Sequence, residues 1–182
     1  MQNLKSVTVT TLVTLGVFIV TAFVACKKKD IEYNDTTNIR PCENVICLNG
    51  GTCNDGVCYC AAGFEGKNCA QRWSDRFVGN YKATDECYTG SSEYYFVNIL
   101  PFPNYASKIN IQNLGTACPG QILEASINPE KTSFKIPMQQ ICGNTYIGGE
   151  GSINGDYINI YLEQRDTILH TSNNCSIVLD KQ

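Results

Sequence analysis

Residues 73–182 alternate apolar and polar positions, a pattern typical of antiparallel strands that bury one face. Gly, Asn and Pro residues separate the short apolar runs, and no run has the apolar spacing of a long helix. The first strand carries its apolar face on Phe77, Gly79, Tyr81 and Ala83. Seven further strands are predicted near residues 94–101, 107–113, 122–128, 132–138, 145–153, 156–164 and 174–181.

Two turns connect neighbouring strands within this segment. Asn154-Gly155 is a dipeptide typical of two-residue hairpin loops, and residues 128–131 form a four-residue turn. Around the first turn, the predicted core face comprises Ile147, Gly149, Gly151, Ile153, Ile158, Ile160 and Leu162. Around the second, it comprises Leu123, Ala125, Ile127, Phe134, Ile136 and Met138. The opposite face of the first hairpin carries Glu150, Ser152, Tyr157, Asn159 and Tyr161, so each of its strands has one core face and one solvent face.

The alternation predicts an all-β fold. Eight sequential strands in about 105 residues are typical of an antiparallel meander, either closed into a small barrel or flattened into a sandwich. The segment from Trp73 to Tyr81 and the meander resemble the calycin or lipocalin-like domains of bacterial surface lipoproteins. Larger members of that group hold apolar ligands, whereas an eight-stranded barrel is just filled by its own side chains.

A second segment, residues 42–69, is defined by cysteines at positions 42, 47, 53, 58, 60 and 69. A segment this short cannot bury enough apolar surface to fold without covalent closure. The spacing, and the run Cys58-Tyr-Cys60-Ala-Ala-Gly63-Phe64-Glu-Gly66-Lys-Asn-Cys69, resemble an EGF-like domain. Of the fifteen pairings that six cysteines allow, the resemblance implies Cys42–Cys53, Cys47–Cys58 and Cys60–Cys69.

This EGF-like segment lacks the features of two specialised subgroups. Calcium-binding members carry carboxylates just before the first cysteine, but residues 38–41 are Asn-Ile-Arg-Pro, so no calcium site is expected. Growth-factor members carry a basic residue and a leucine around the last cysteine, whereas residues 68–71 are Asn-Cys-Ala-Gln. The segment is therefore interpreted as an adhesion module or an inert spacer.

Four further cysteines, at positions 87, 118, 142 and 175, allow three pairings. Cys87 is placed late in the first predicted strand and Cys175 early in the last one, and both share the inward phase of their strands, with Tyr81 and Ile177 respectively. In a meander with an even number of strands these two strands run antiparallel, so the two cysteines can meet where the sheet closes. We therefore hypothesise the bridges Cys87–Cys175 and Cys118–Cys142, with the second pair in loops.

The N-terminus carries a targeting signal. An uncharged run, Val7–Ala25, ends in Phe23-Val24-Ala25-Cys26 and is followed by Lys27-Lys28-Lys29-Asp30. This run resembles a bacterial lipobox, in which the cysteine is diacylated and becomes the mature N-terminus. The resemblance implies a signal peptide over residues 1–25 and lipidation of Cys26. The lysine-then-acid stretch resembles the tether that routes bacteroidete-type lipoproteins to the cell surface, so a surface-exposed position on the outer membrane is expected.

Two alternatives remain for this terminus. An uncleaved signal anchor is disfavoured because three lysines follow the apolar run and one precedes it, which would keep the cysteine modules in the reducing cytosol. Simple cleavage that leaves Cys26 unmodified is the other alternative. Residues 26–41 are interpreted as a lipidated N-terminus and a polar, flexible tether.

The composition excludes several functions. The chain has 14 basic and 17 acidic residues, and removal of residues 1–25 leaves 13 against 17, so no nucleic-acid partner is expected. The single histidine, His170, makes a histidine metal site or a catalytic triad improbable, and no phosphate loop or nucleophile-elbow motif is present. We expect no enzyme activity, no cofactor and no metal. Of the 11 cysteines, one takes lipid and ten form five disulfides.

Exposed aromatic residues are the remaining candidates for binding. Phe102 and Tyr105 lie in the loop Pro101-Phe102-Pro103-Asn104-Tyr105, whereas residues 94–96, Tyr-Tyr-Phe, are interpreted as alternating core and rim positions. The expected function is that of a non-enzymatic, lipid-anchored surface protein whose EGF-like module and β domain bind protein or glycan in adhesion. The alternatives are a carrier of an apolar small molecule and a structural envelope spacer without a discrete ligand.

Overall fold

The computed structural model describes residues 41–86, 94–115, 118 and 120–182. The expected signal peptide, Cys26 and nearly all of the tether lie outside these residues. The described part contains a small disulfide-bonded module followed by a closed antiparallel β-barrel, which confirms the predicted all-β fold. Within the described ranges, no helix combines the length and apolar character needed to cross a membrane.

The small module contains two short two-stranded sheets, and its strands are β1 (Thr52–Asn54), β2 (Val57–Tyr59), β3 (Phe64–Glu65) and β4 (Gln71–Arg72). Asp55 and Gly56 connect β1 and β2 with positive φ angles of 48° and 81°, as a type I′ turn requires. The disulfides of the module are Cys42–Cys53, Cys47–Cys58 and Cys60–Cys69. These are the pairs that the EGF-like resemblance implies.

A short 3₁₀ turn, Trp73–Arg76, leads from β4 into the barrel. The barrel strands are β5 (Gly79–Asp85), β6 (Tyr95–Pro101), β7 (Lys108–Gln112), β8 (Ile122–Ile127), β9 (Ser133–Cys142), β10 (Thr145–Asn154), β11 (Tyr157–Asp166) and β12 (Thr171–Lys181). Each strand pairs antiparallel with the next one along the chain. β12 then pairs with β5, from Ile177 opposite Asp85 to Lys181 opposite Tyr81, and closes the sheet. The sequence left barrel and sandwich open, and the structure is a barrel.

The barrel interior is filled by side chains. Tyr81, Phe77 and Phe134 are among its largest fully buried residues, and the rings of Phe77 and Phe134 meet edge to face at 5.4 Å between centroids. The Tyr81 hydroxyl donates to the Phe77 carbonyl at 2.6 Å, and burial raises the pKa of Tyr81 to about 12. Around them pack Ala83, Val97, Ile99, Ile109, Ile111, Leu114, Leu123, Ala125, Ile127, Ile136, Ile147, Ile158, Ile160, Leu162, Ile177 and Leu179.

The barrel has its shortest strand pairing between β8 and β9. Only Ser126 with Lys135 and Ile127 with Phe134 are paired there. The side-chain amide of Gln139 extends this pairing, because it accepts from the Glu124 N–H at 3.1 Å and donates to the Glu124 carbonyl at 2.9 Å. A side-chain amide thus replaces a backbone peptide in the ladder.

The expectation that Met138 lies on the core face is wrong. Met138 is 42% exposed, because β9 carries a bulge in which Pro137 and Met138 both lie opposite Gly148 of β10. Because of the extra residue, the side chains of β9 after Ile136 alternate in the opposite sense, so positions expected to face the core face the solvent.

The hairpin between β10 and β11 also differs in one detail from the expected register. Asn154 pairs with Tyr157, so the loop residues are Gly155 and Asp156 rather than Asn154 and Gly155. Gly155 has a φ of 63°, which a two-residue primed turn requires at its first position. The predicted core faces of both strands are nevertheless correct, because Gly149 lies opposite Leu162 and Gly151 opposite Ile160.

Within the barrel, Cys118 is bonded to Cys142. Cys142 is the last residue of β9 rather than a loop residue. Cys175 lies on β12, but Cys87 lies outside the described residues, so the bridge between these two remains a prediction.

We expect Gly151→Ala to destabilise the barrel by about 1–3 kcal/mol through overpacking. A β-carbon at Gly151 would lie 2.2 Å from a ring carbon of Phe134, which the surrounding core holds in place. Gly79→Ala is the matched control, since a β-carbon there first meets the flexible end of Lys181, at 2.8 Å. Urea unfolding should show a lower midpoint for Gly151→Ala, and equal losses in the two variants would contradict the assignment.

Candidate functional site

The loop between β6 and β7 carries the aromatic residues that the sequence singled out. The N–H of Tyr105 donates to the Phe102 carbonyl at 3.4 Å, which closes a four-residue turn. Pro103 presets φ at the second position, and Asn104 adopts a φ of 64° at the third, as in a type II turn. The sequence Phe-Pro-Asn-Tyr therefore places the two aromatic residues at the ends of one turn. Their rings meet edge to face at 5.7 Å between centroids.

Lys108 lies beside this aromatic pair. Its Nζ is 5.3 Å from the centre of the Phe102 ring and 5.2 Å from that of Tyr105, within the range of cation–π contacts. Its ammonium group also forms an ion pair with Glu124 on β8. Two backbone bonds close the base of the loop, from the Lys108 N–H to the Tyr105 carbonyl and from the Phe102 N–H to the Lys108 carbonyl, both at 3.3 Å.

The exposure of the two rings differs. Tyr105 is 56% exposed, whereas Phe102 is half-buried. Tyr105 is therefore the ring that a ligand can contact most directly, and Phe102 supports it from the side. The structure places both residues in the predicted loop, and whether they bind a ligand remains a prediction.

The loop is held from outside as well as by its own turn. The Arg72 guanidinium donates to the Phe102 carbonyl at 3.0 Å. The Ser74 N–H donates to the Ala106 carbonyl at 3.1 Å, and the Ile127 N–H donates to the Ser107 carbonyl at 2.8 Å. The end of the small module, the 3₁₀ turn and β8 therefore each fix one point of the loop.

The small module packs directly against this loop. Gly63 has a φ of 93°, and a β-carbon there would lie 3.0 Å from the backbone nitrogen of Ser107, so both the conformation and the close approach require glycine. Trp73 joins the two parts: its backbone N–H donates to the Gly63 carbonyl at 2.9 Å, and its indole N–H donates to the Phe64 carbonyl at 3.2 Å. No pattern in the sequence indicated this contact.

Glu65 is the charged centre of the junction. Its carboxylate accepts from Arg76 Nη2 at 2.7 Å and from Lys131 Nζ at 2.9 Å. Lys131 lies in the turn between β8 and β9 with its Nζ 5.5 Å from the centre of the Trp73 ring. The hydrogen bond from Lys131 lowers the pKa of Glu65, partial burial opposes that effect, and Arg76 lowers the pKa further. The small module is thus tied to the barrel by two ion pairs.

The other candidates from the sequence lie at separate places. His170 is an exposed residue in the turn between β11 and β12, with a φ of 51°. Tyr94 and Phe96 are 55% and 58% exposed, whereas Tyr95 packs against the core, so these positions alternate as expected. Cys26 lies outside the described residues. Within the described ranges, no group of three or more His, Cys, Asp or Glu residues is arranged to hold a metal ion.

A second surface was missed by the sequence reasoning. The sequence placed Glu150, Ser152, Tyr157, Asn159 and Tyr161 on the solvent face of the β10–β11 hairpin, but it identified neither their neighbours on β12 nor a groove there. The structure forms a groove on this outer face, with Tyr161 among its lining residues. Only the pairing of three strands brings these residues together.

No family model matches the chain. Among solved structures, the chain is similar to a redesigned β-barrel, with a TM-score of 0.41 and 11% sequence identity. The similarity covers 62% of this chain and 97% of that chain.

We expect Glu65→Gln to destabilise the protein by about 1 kcal/mol at neutral pH, because it removes two partly exposed ion pairs. Since the pKa of Glu65 in the folded protein is below its usual 4.5, this contribution is complete above that pH and is lost as the pH falls below it. The variant should therefore lose less stability than the wild type on acidification.

Urea unfolding between pH 7 and pH 3 measures both effects of Glu65→Gln. Glu43→Gln is the control, since Glu43 is an exposed carboxylate on the same module. Equal stability and equal acid dependence of Glu65→Gln and the wild type would show that the ion pairs do not hold the module.

Proposed function

We propose that this chain is a non-enzymatic, lipid-anchored protein of the bacterial outer-membrane surface that binds a protein or glycan ligand. The observation that carries the proposal is the Phe102–Tyr105 pair on a loop fixed by both the small module and the barrel. Aromatic residues dominate the energy of many interfaces, and a loop that is already ordered loses little entropy on binding.

The EGF-like and lipocalin-like assignments belong to this proposal. The EGF-like assignment for residues 42–69 is supported by the cysteine spacing and by the three disulfide pairs. The lipocalin-like assignment for residues 73–182 is supported by the Trp73 opening and by the antiparallel meander that closes β12 on β5. In proteins generally, loops carried on a rigid scaffold provide much of the binding surface.

Binding on the outside is favoured over the carrier alternative by the packing of the barrel. Its interior is occupied by large side chains, among them Phe77, Tyr81 and Phe134. At Gly151, even one additional methyl group would overlap the Phe134 ring. An apolar ligand would have to displace this core.

The anchor at Cys26 is proposed from the sequence, and the disulfides support an exported location. Disulfides persist in oxidising compartments, and the cytosol keeps thiols reduced. Four bridges are present within the described residues. A lipid on Cys26 would then attach the mature chain to the membrane through the polar residues 27–41.

Alanine at both Phe102 and Tyr105 should reduce ligand capture by about tenfold or more, because the double variant removes the exposed aromatic anchor. The measurement is chemical crosslinking on intact cells that display the full chain, followed by mass spectrometry of the captured partners. Tyr59→Ala is the control, since Tyr59 is an aromatic residue of β2 in the small module and is 63% exposed.

The outcome of this crosslinking separates the alternatives. Capture that falls in the double variant and persists in Tyr59→Ala supports binding through the loop. Capture that is unchanged in the double variant contradicts the loop as the contact surface. No captured partner in any variant, the wild type included, would favour a spacer without a ligand.

Cys26→Ala should abolish metabolic labelling of the protein with a radioactive or clickable palmitate. The thiol of Cys26 is the expected site of diacylation, and alanine has no group that can accept the lipid. Cys118→Ala is a control that should keep the label, because Cys118 is bonded to Cys142 in the barrel. Labelling that survives in Cys26→Ala would refute the lipoprotein assignment.

A further inference from the structure

The outer face of β10, β11 and β12 carries a shallow groove with a volume of about 440 Å³. Its main lining residues are Glu150, Ser152, Asn159, Tyr161, Ser176 and Val178. All six side chains are exposed, and all point away from the core in the alternation of their strands. The groove is therefore a feature of the outside of the barrel and is separate from its interior.

The strand register arranges these residues in two rows across the sheet. Tyr161 on β11 lies opposite Glu150 on β10 and opposite Ser176 on β12. Asn159 lies opposite Ser152 and Val178 in the same way. Neighbours within a row are about 5 Å apart, and the two rows are separated by about 7 Å along the strands. One aromatic ring is thus surrounded by polar groups within a single small surface.

Four of the polar side chains of the groove have free hydrogen-bonding capacity, whereas Asn128, which also lines it, donates to Ser133 at 2.6 Å. Among the described residues, none forms a hydrogen bond or ion pair with the side chains of Glu150, Ser152, Asn159 or Ser176. A carboxylate only accepts hydrogen bonds, whereas the amide and the hydroxyls both donate and accept. The groove therefore offers donors and acceptors together around Tyr161, which is 48% exposed.

We propose that this groove binds a neutral oligosaccharide, with one pyranose ring stacked on Tyr161. A pyranose has apolar C–H faces that pack on an aromatic ring, and its equatorial hydroxyls both donate and accept at its edge. The ring of Tyr161 would pack on the apolar face of the sugar. The side chains of Glu150, Asn159 and the two serines would form hydrogen bonds with the sugar hydroxyls. This inference rests on the proposed function as a surface binding protein and names the ligand class of a second site.

The charge of the groove favours a neutral ligand over an acidic one. Glu150 is the only charged residue among those that line the groove, and Lys135, its neighbour on β9, is not one of them. Because Lys135 lies directly opposite Glu150, the two charges offset each other, and the groove has no excess of positive charge to attract a uronic acid, a sulfated sugar or a phosphate. The excess of acidic over basic residues in the mature chain also disfavours an acidic ligand.

The surface around the groove has room for a chain of sugars. Tyr157 lies four residues from Tyr161 on β11, at a distance of about 13 Å along the strand, and is also 48% exposed. Asn159 lies between the two tyrosines on the same face. Two aromatic platforms with a polar residue between them suit an extended oligosaccharide rather than a single sugar.

Binding of the full chain to neutral oligosaccharides provides the test. Isothermal titration calorimetry in detergent would use cellohexaose, chitohexaose and mannohexaose as neutral probes, and heparin and oligogalacturonate as acidic ones. At least one neutral probe should bind, and Tyr161→Ala should weaken its binding by about tenfold or more. Glu150→Gln should weaken it by a smaller factor, because an amide keeps an acceptor at that position. Tyr59→Ala is the control and should bind like the wild type.

Several results would overturn the inference: no neutral probe binding at millimolar concentration, binding unchanged in both Tyr161→Ala and Glu150→Gln, or stronger binding of the acidic probes. Near-ultraviolet circular dichroism shows whether a variant is misfolded. If Tyr161→Ala is misfolded, the effect of Glu150→Gln on oligosaccharide binding still tests the inference.

The loop variants separate this inference from the proposed function. Partner capture that depends on Phe102 and Tyr105, with no neutral oligosaccharide bound, would overturn only the groove site. Oligosaccharide binding with capture unaffected by the loop variants would overturn only the role of the loop.

Discussion

Pairing of β12 with β5 is the constraint on which the rest of the barrel depends. It converts an antiparallel meander into a closed sheet, so every strand has a neighbour on both sides and no edge is left open. Closure at eight strands also fixes an interior that is just wide enough for side chains. Phe134 fills that interior so tightly that Gly151 must remain a glycine. Contacts with a ligand are then left to the loops and the outer faces.

The small size of the N-terminal module explains why its contacts with the barrel matter. A module with four very short strands has little core of its own, and its three disulfides supply most of the order within it. Disulfides cannot orient the module on the barrel, and noncovalent contacts must do so. The close approach at Gly63, the indole of Trp73 and the ion pairs of Glu65 provide that orientation. The close approach of Gly63 to Ser107 also places the module against the loop that carries Phe102 and Tyr105, which Arg72 and Ser74 hold by hydrogen bonds.

The sequence predicted the strands well because an alternation of period two is a local signal. The core faces of β10 and β11 were correct for this reason, although their loop was displaced by one residue. Met138 was placed on the wrong face because a bulge inserts one residue without any change in the apolar pattern that precedes it.

Long-range contacts left no comparable signal in the sequence. Glu65 and Lys131 are far apart along the chain, and neither is distinguishable from an ordinary surface charge before the fold is known. The groove was missed for the same reason. The sequence placed Glu150 and Tyr161 on one face of a hairpin, but only the pairing of β11 with β12 adds Ser176 beside them.

The two candidate surfaces differ in chemistry and lie on different sides of the barrel. The loop joins β6 to β7, and in the closed ring of eight strands β7 is four strands away from β11, which carries Tyr161. The aromatic pair of the loop has the Lys108 ammonium beside it, whereas the groove has the Glu150 carboxylate. The loop therefore presents two packed aromatic rings, whereas the groove presents one tyrosine ring among hydrogen-bonding side chains, so the surfaces suit different ligands. Because Tyr105 and Tyr161 belong to different surfaces that lie four strands apart in the ring, substitutions at these two residues test the surfaces separately.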